Sequence, residues 1–128
     1  MKKLLKKFSL FAFFSTILLV SCKKETPAEP KKQYTVTYHC DLPPIGQTKI
    51  INYMYAGHIV TDTLTYVDKF DWTTTMESGE RPSITVSCNI TIPYAAITAQ
   101  INVNGATVAS DFRSGTGFQI ANTSYLLQ

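Results

Sequence analysis

From Gln33 to the C-terminus, apolar and polar positions alternate in short runs, and no stretch sustains the 3.6-residue recurrence of an amphipathic helix. Tyr34, Val36, Tyr38 and Cys40 fall on one face of a first strand, with Thr35, Thr37 and His39 on the other. Pro43-Pro44-Ile45-Gly46 ends it. A second strand is predicted over about residues 48–55 and a third over about 59–68, with Ala56-Gly57-His58 turning between them as a hairpin. The clearest alternation sets Ile84, Val86, Cys88 and Ile90 against Thr85, Ser87, Asn89 and Thr91, and Pro93, which has no N–H for a ladder, closes that strand. Asn104-Gly105 between two alternating runs signals a tight hairpin, and a last strand is predicted over about 118–126. Residues 69–76 carry the single tryptophan and precede the polar loop 77–82. Seven or eight strands at this spacing predict an all-β domain, an immunoglobulin-like β-sandwich of antiparallel strands, with a small β-barrel as the alternative.

The first 32 residues follow a different pattern. Four lysines in Met1–Lys7 precede an apolar run of about a dozen residues and then Leu19-Val20-Ser21-Cys22. The run is shorter than the roughly 18 to 20 residues that span a bilayer and is diluted by Ser9, Ser15 and Thr16, so a cleaved export signal is expected rather than an anchor helix. Small Ser21 gives a peptidase access to the bond before Cys22, whose thiol is the expected lipid acceptor. Two or three acyl chains, at about 0.8 kcal/mol per buried methylene, make such an anchor effectively permanent. Residues 1–21 thus read as a lipoprotein signal peptide, 22–32 as lipidated cysteine and tether, and 33–128 as one domain.

The tether, Lys23 to Lys32, is charged, Pro-rich and free of large apolar residues, and at about 3 Å per residue it reaches some 20 to 30 Å. Lys23-Lys24-Glu25 partly matches the sorting signals that place some lipoproteins on the outer surface. The expected location is the bacterial cell envelope, at the outer membrane. The formal charge of +3 loses its meaning once the signal is removed, because eight basic residues then face nine acidic ones. That balance leaves no electrostatic footprint for nucleic acid.

Cys40 and Cys88 both lie on apolar strand faces of a chain read as exported, so a disulfide between them is predicted. Closing that loop would contribute about 4 kcal/mol on the chain-entropy estimate. The alternative is two packed thiols.

Motifs for catalysis are absent: no HExxH, CxxC, GxSxG or phosphate loop occurs, and Gly115-Thr116-Gly117 is too short to be one. No cofactor or metal is implied. An enzyme would have to assemble His39 and His58 with Asp41 or Asp62, a combination that spacing alone does not support. The aromatic residues Tyr53, Tyr55, Tyr66, Phe70 and Trp72 concentrate in the middle third. They read first as core, and Trp72, Tyr66 and Phe70 are the candidate ligand-binding residues. Asp62-Thr63-Leu64 resembles a short O-glycosylation motif, and the sequons at Asn89 and Asn122 require a machinery such proteins do not meet.

Three segments in order, Tyr34-Thr35-Val36-Thr37-Tyr38, Trp72-Thr73-Thr74-Thr75 and Ile101-Asn102-Val103-Asn104-Gly105-Ala106-Thr107-Val108, resemble the extracytoplasmic domain of the MmpS family, small membrane proteins that accompany lipid and siderophore exporters. The resemblance implies a β-sandwich and an accessory role beside an envelope transporter. Two features depart from the family: a lipobox stands in place of an anchor helix, and Asp71 rather than proline precedes Trp72. The function expected is a lipid-anchored, non-catalytic binding or adaptor module with an envelope protein or glycan as partner. The alternative is a structural, self-assembling lipoprotein.

Overall fold

A computed structural model of the protein describes residues 28–43 and 47–128. The expected signal segment, Cys22 and the tether up to Pro27 lie outside the described residues. Eight strands follow one another: β1 (Gln33–Asp41), β2 (Lys49–Tyr55), β3 (His58–Leu64), β4 (Lys69–Glu77), β5 (Ser83–Ile90), β6 (Ala96–Val103), β7 (Ala106–Ser114) and β8 (Gly117–Ser124). All pairings are antiparallel. They build two four-stranded sheets, β4-β1-β6-β7 (sheet A) and β3-β2-β5-β8 (sheet B), neither closed into a barrel. The architecture is the expected β-sandwich.

Two connections stay within a sheet, and both are two-residue turns with positive φ at each position: Ala56 (49°) with Gly57 (76°), and Asn104 (51°) with Gly105 (84°). This is the turn whose twist matches that of the flanking strands. Every other connection crosses between the sheets.

The period-2 alternation decides what is buried. Tyr34, Val36, Tyr38 and Cys40 of β1 and Ile97, Ala99, Ile101 and Val103 of β6 meet Ile51 and Tyr53 of β2 and Ile84, Val86, Cys88 and Ile90 of β5. These are the two central strands of each sheet. A fully buried isoleucine or valine contributes about 1.5–3 kcal/mol, and a one-residue slip would turn each such set to solvent.

One expectation is corrected, and one segment gains an assignment. The third strand ends at Leu64 rather than near Asp68, because Leu64 is already opposite Lys49, the first residue of its partner, and Tyr66 turns the chain with a φ of 63°. Residues 69–76, for which the sequence predicts no strand bounds, form with Glu77 the nine-residue β4, paired along its whole length with β1. Its inward positions, Phe70, Trp72, Thr74 and Met76, mix aromatic, polar and thioether side chains.

The sandwich has two unlike lateral sides. On one, edge strands β7 and β8 approach each other, and the Asp111 carboxylate of β7 accepts the backbone N–H of Asn122 in β8 at 3.0 Å. On the other, edge strands β3 and β4 flank a cluster of aromatic rings.

Candidate functional site

The residues singled out as ligand-binding candidates do not stay together. Trp72 lies between the sheets: its ring stacks on Tyr38 (centroids 5.9 Å, planes 15° apart), sits 4.8 Å from Tyr53 and meets Tyr55 edge-on at 4.9 Å. Phe70 is 5.4 Å from Tyr53. Sheet A contributes Tyr38, Phe70 and Trp72, and sheet B contributes Tyr53 and Tyr55. The rings therefore join the two layers, with offset and edge contacts each worth about 0.5–1.5 kcal/mol beyond area burial. The polar tips are satisfied: the Tyr38 hydroxyl donates to the Met54 carbonyl at 2.8 Å, and that of Tyr53 donates to the Asp62 carboxylate at 3.1 Å. Burial pushes the Tyr38 phenol well up, and burial with the Asp62 bond does the same to Tyr53. Tyr66 is 81% exposed on the β3–β4 turn, away from these ring pairs.

The histidines lie in different sheets. His39, on the outer face of sheet A, is held between Asp71 (Nδ1 to Oδ1, 2.6 Å) and Asp41 (Nε2 to Oδ1, 3.4 Å). His58 is exposed at the start of β3 in sheet B, and Asp62 is engaged by Tyr53. The His39–Asp71 pair therefore forms without the second histidine, and no group of three His, Cys, Asp or Glu among the described residues is placed to hold a metal ion.

Cys40 and Cys88 are buried as free thiols, in sheet A and sheet B respectively, and the predicted disulfide is not present. Their shared apolar facing placed both in the core without joining them. Burial pushes Cys40 up to about 12, with the Asp71 and Asp41 carboxylates adding to the effect. Burial also raises Cys88, partly offset by the Lys49 ammonium. Lys49 itself is an unexpected core residue. It is fully buried, in phase with Ile51 and Tyr53, and its Nζ donates to the Val67 carbonyl at 3.1 Å, pinning the β3–β4 turn to the end of the sandwich. The signal was legible as a lysine on the apolar phase of a strand.

The outer faces of the two sheets differ in the charge they carry. On sheet A the solvent-facing positions of β1 and β4 include Lys69, Asp71, Glu77, His39 and Asp41, whereas those of β6 and β7 include Thr98, Gln100, Ser110 and Phe112 (62% exposed), so charge is confined to the β1/β4 half of that face. On sheet B, register places Ile59, Thr61 and Thr63 of β3 beside Met54, Asn52 and Ile50 of β2. Beyond them lie Ser83, Thr85, Ser87 and Asn89 of β5 and Phe118, Ile120, Asn122 and Ser124 of β8. None is charged. A polar row crosses this face, with the Thr61 hydroxyl donating to Asn52 Oδ1 (2.7 Å) and the Thr85 hydroxyl donating to Asn122 Oδ1 (3.1 Å). Beside it Phe118 (67% exposed), Ile120 (48%) and Ile50 (40%) stand in solvent, and Ile59 (69%) lies on the row's other side. Thr63 is exposed here as well.

No protein-family model matches this chain, and no curated protein matches it.

Proposed function

We propose that the protein is a lipid-anchored binding module of the bacterial cell envelope, non-catalytic, and that the uncharged outer face of sheet B is where it holds a protein partner. The carrying observation is that face: aliphatic and aromatic side chains left in solvent among hydroxyls and amides, with no charge. Depletion of charge around exposed apolar residues is the composition of the buried centre of a protein–protein interface. Isolated exposed apolar side chains need no explanation, but three isoleucines and a phenylalanine on one uncharged sheet face are a different matter. Aliphatic knobs favour a protein over a glycan, whose sugar rings stack on planar aromatics. The motif Leu19-Val20-Ser21-Cys22 supports the anchor, and the resemblance to MmpS proteins makes a transporter subunit the first partner to test.

The test is co-purification from envelopes of the tagged, full-length protein beside Ile120→Asp and Phe118→Asp variants. A partner retained by the parent and lost by both variants supports the reading. Equal recovery by all three overturns it. The anchor is checked separately, by incorporation of labelled fatty acid into the parent and its loss in Cys22→Ala.

A further inference from the structure

The four sheet edges are guarded unequally. β7 carries a bulge in its pairing with β6, at Ile101/Asn102, and turns Asp111 inward. That carboxylate caps a backbone N–H on the edge of β8. β3 turns Asp62 inward. Bulges, inward charges and capped N–H groups are the devices that keep an edge from pairing with another chain. β4 has no proline, no bulge and no inward charge, and runs nine residues in unbroken register with β1.

Which groups β4 leaves open follows from the ladder. The Leu42 N–H donates to the Asp68 carbonyl at 2.8 Å and the Ser78 N–H to the Lys32 carbonyl at 2.8 Å, so even-numbered residues of this segment face β1. The backbone groups of the odd-numbered ones, Lys69, Asp71, Thr73 and Thr75, therefore point to the open edge. The Glu77 N–H is taken by the Glu80 carboxylate, which marks where that edge ends.

We infer that two copies of this chain join edge to edge through β4, antiparallel and centred on Thr73, making one eight-stranded sheet from their two sheets A. In this register Thr73 is opposite the partner's Thr73, Asp71 opposite the partner's Thr75, and Lys69 opposite the partner's Glu77. The fit is one of charge. Lys69 has no ion-pair partner among the described residues, and the two-fold axis brings to it, twice, the Glu77 carboxylate, which within one chain already pairs with Lys31 at 3.5 Å. Shifting the register by two residues in one direction sets Asp71 against Glu77, a like-charge pair, and in the other direction shortens the ladder and leaves Lys69 without its acid. The inward positions agree, since Phe70 meets the partner's Met76 and Trp72 the partner's Thr74, covering rings that are only half-buried in the single chain. The contact leaves the outer face of sheet B untouched, so this inference stands apart from the binding face proposed above.

Carbodiimide coupling of the full-length protein in its envelope tests the pairing, because it joins an amine directly to a carboxylate. Within one chain Lys69 and Glu77 are at opposite ends of β4, about 26 Å apart at some 3.3 Å per residue, so a Lys69–Glu77 crosslink must be between chains. The expected result is a dimer band containing that crosslink. Lys69→Glu and Glu77→Lys each turn two attractions into two repulsions and lower dimer yield about tenfold, and the double variant restores it to within about twofold. Thr73→Lys, which faces solvent and sets two ammonium groups on the axis, removes the dimer while leaving the circular-dichroism spectrum unchanged. A monomer only, a dimer crosslinked elsewhere, Lys69 joined to a different protein, or a double variant as weak as the singles overturns the inference.

Discussion

The two lateral sides of the sandwich are held by different physics. On the β3/β4 side the layers meet through rings: Trp72 touches Tyr38, Tyr53 and Tyr55, and the closure is a matter of buried area. On the β7/β8 side one ionised carboxylate, Asp111, accepts the Asn122 N–H and holds Arg113 at 3.1 Å, so that closure depends on charge. The first should be strong and insensitive to pH, the second weaker and titratable. The difference teaches why one side can leave a backbone edge open while the other cannot: bulky rings hold the sheets together without using the edge N–H groups of β4.

The largest expected effect is on the aromatic side. Trp72→Ala removes a ring packed on three others and is expected to destabilise by about 3 kcal/mol in urea unfolding, with Trp72→Phe recovering part of it. Next comes Lys49. Lys49→Ala removes both its buried stem and the bond to the Val67 carbonyl and is expected to cost about 2 kcal/mol, whereas Lys49→Met, which keeps the volume, changes stability by less than about 1 kcal/mol. If the two variants are equal, the ammonium rather than the stem secures the β3–β4 turn.

Asp111→Ala is expected to cost about 1 kcal/mol, for the N–H left without its acceptor. Its pH dependence sharpens the comparison. The Asn122 N–H, then Arg113, hold the Asp111 carboxyl below its ordinary value. A group depressed on folding contributes stability that is complete above its unfolded value, about 3.9, and is lost as pH falls through the lower folded value. Acid unfolding of Asp111→Ala should therefore lack part of the slope seen in the parent below about pH 4, while Trp72→Ala keeps it. The smallest effect is kinetic. With Cys40 pushed up to about 12 and both thiols buried, alkylation at pH 8 should be slow in the folded protein and fast in urea, where both domain thiols titrate. Rapid labelling of folded Cys40 would place it outside the core.

Much of this fold was legible in the residues. Alternation placed Val36, Tyr38, Val86 and Ile84 in the core, and Asn104-Gly105 marked the β6–β7 hairpin, because side-chain period and turn chemistry are local properties. β4 was harder to read, because the consecutive Thr73-Thr74-Thr75 run interrupts the alternation of Phe70, Trp72 and Met76 with Lys69 and Asp71. The aromatic residues were seen as core, but which rings meet depends on sheet order, and Tyr66 was separated from Phe70 and Trp72 by a turn the sequence did not reveal. The uncharged face was out of reach for the same reason. Its residues come from four strands scattered over the chain, and each polar run looked ordinary until pairing set them side by side.

The central claim is that sheet B, and not sheet A, presents the binding face, and site-specific photo-crosslinking in living cells tests it most directly. A photoreactive residue at position 120, on the uncharged face, is compared with one at position 37, at the centre of the sheet A face. The account predicts a discrete adduct with another envelope protein from position 120 and none from position 37. Adducts from position 37 alone, or from neither position, would contradict it.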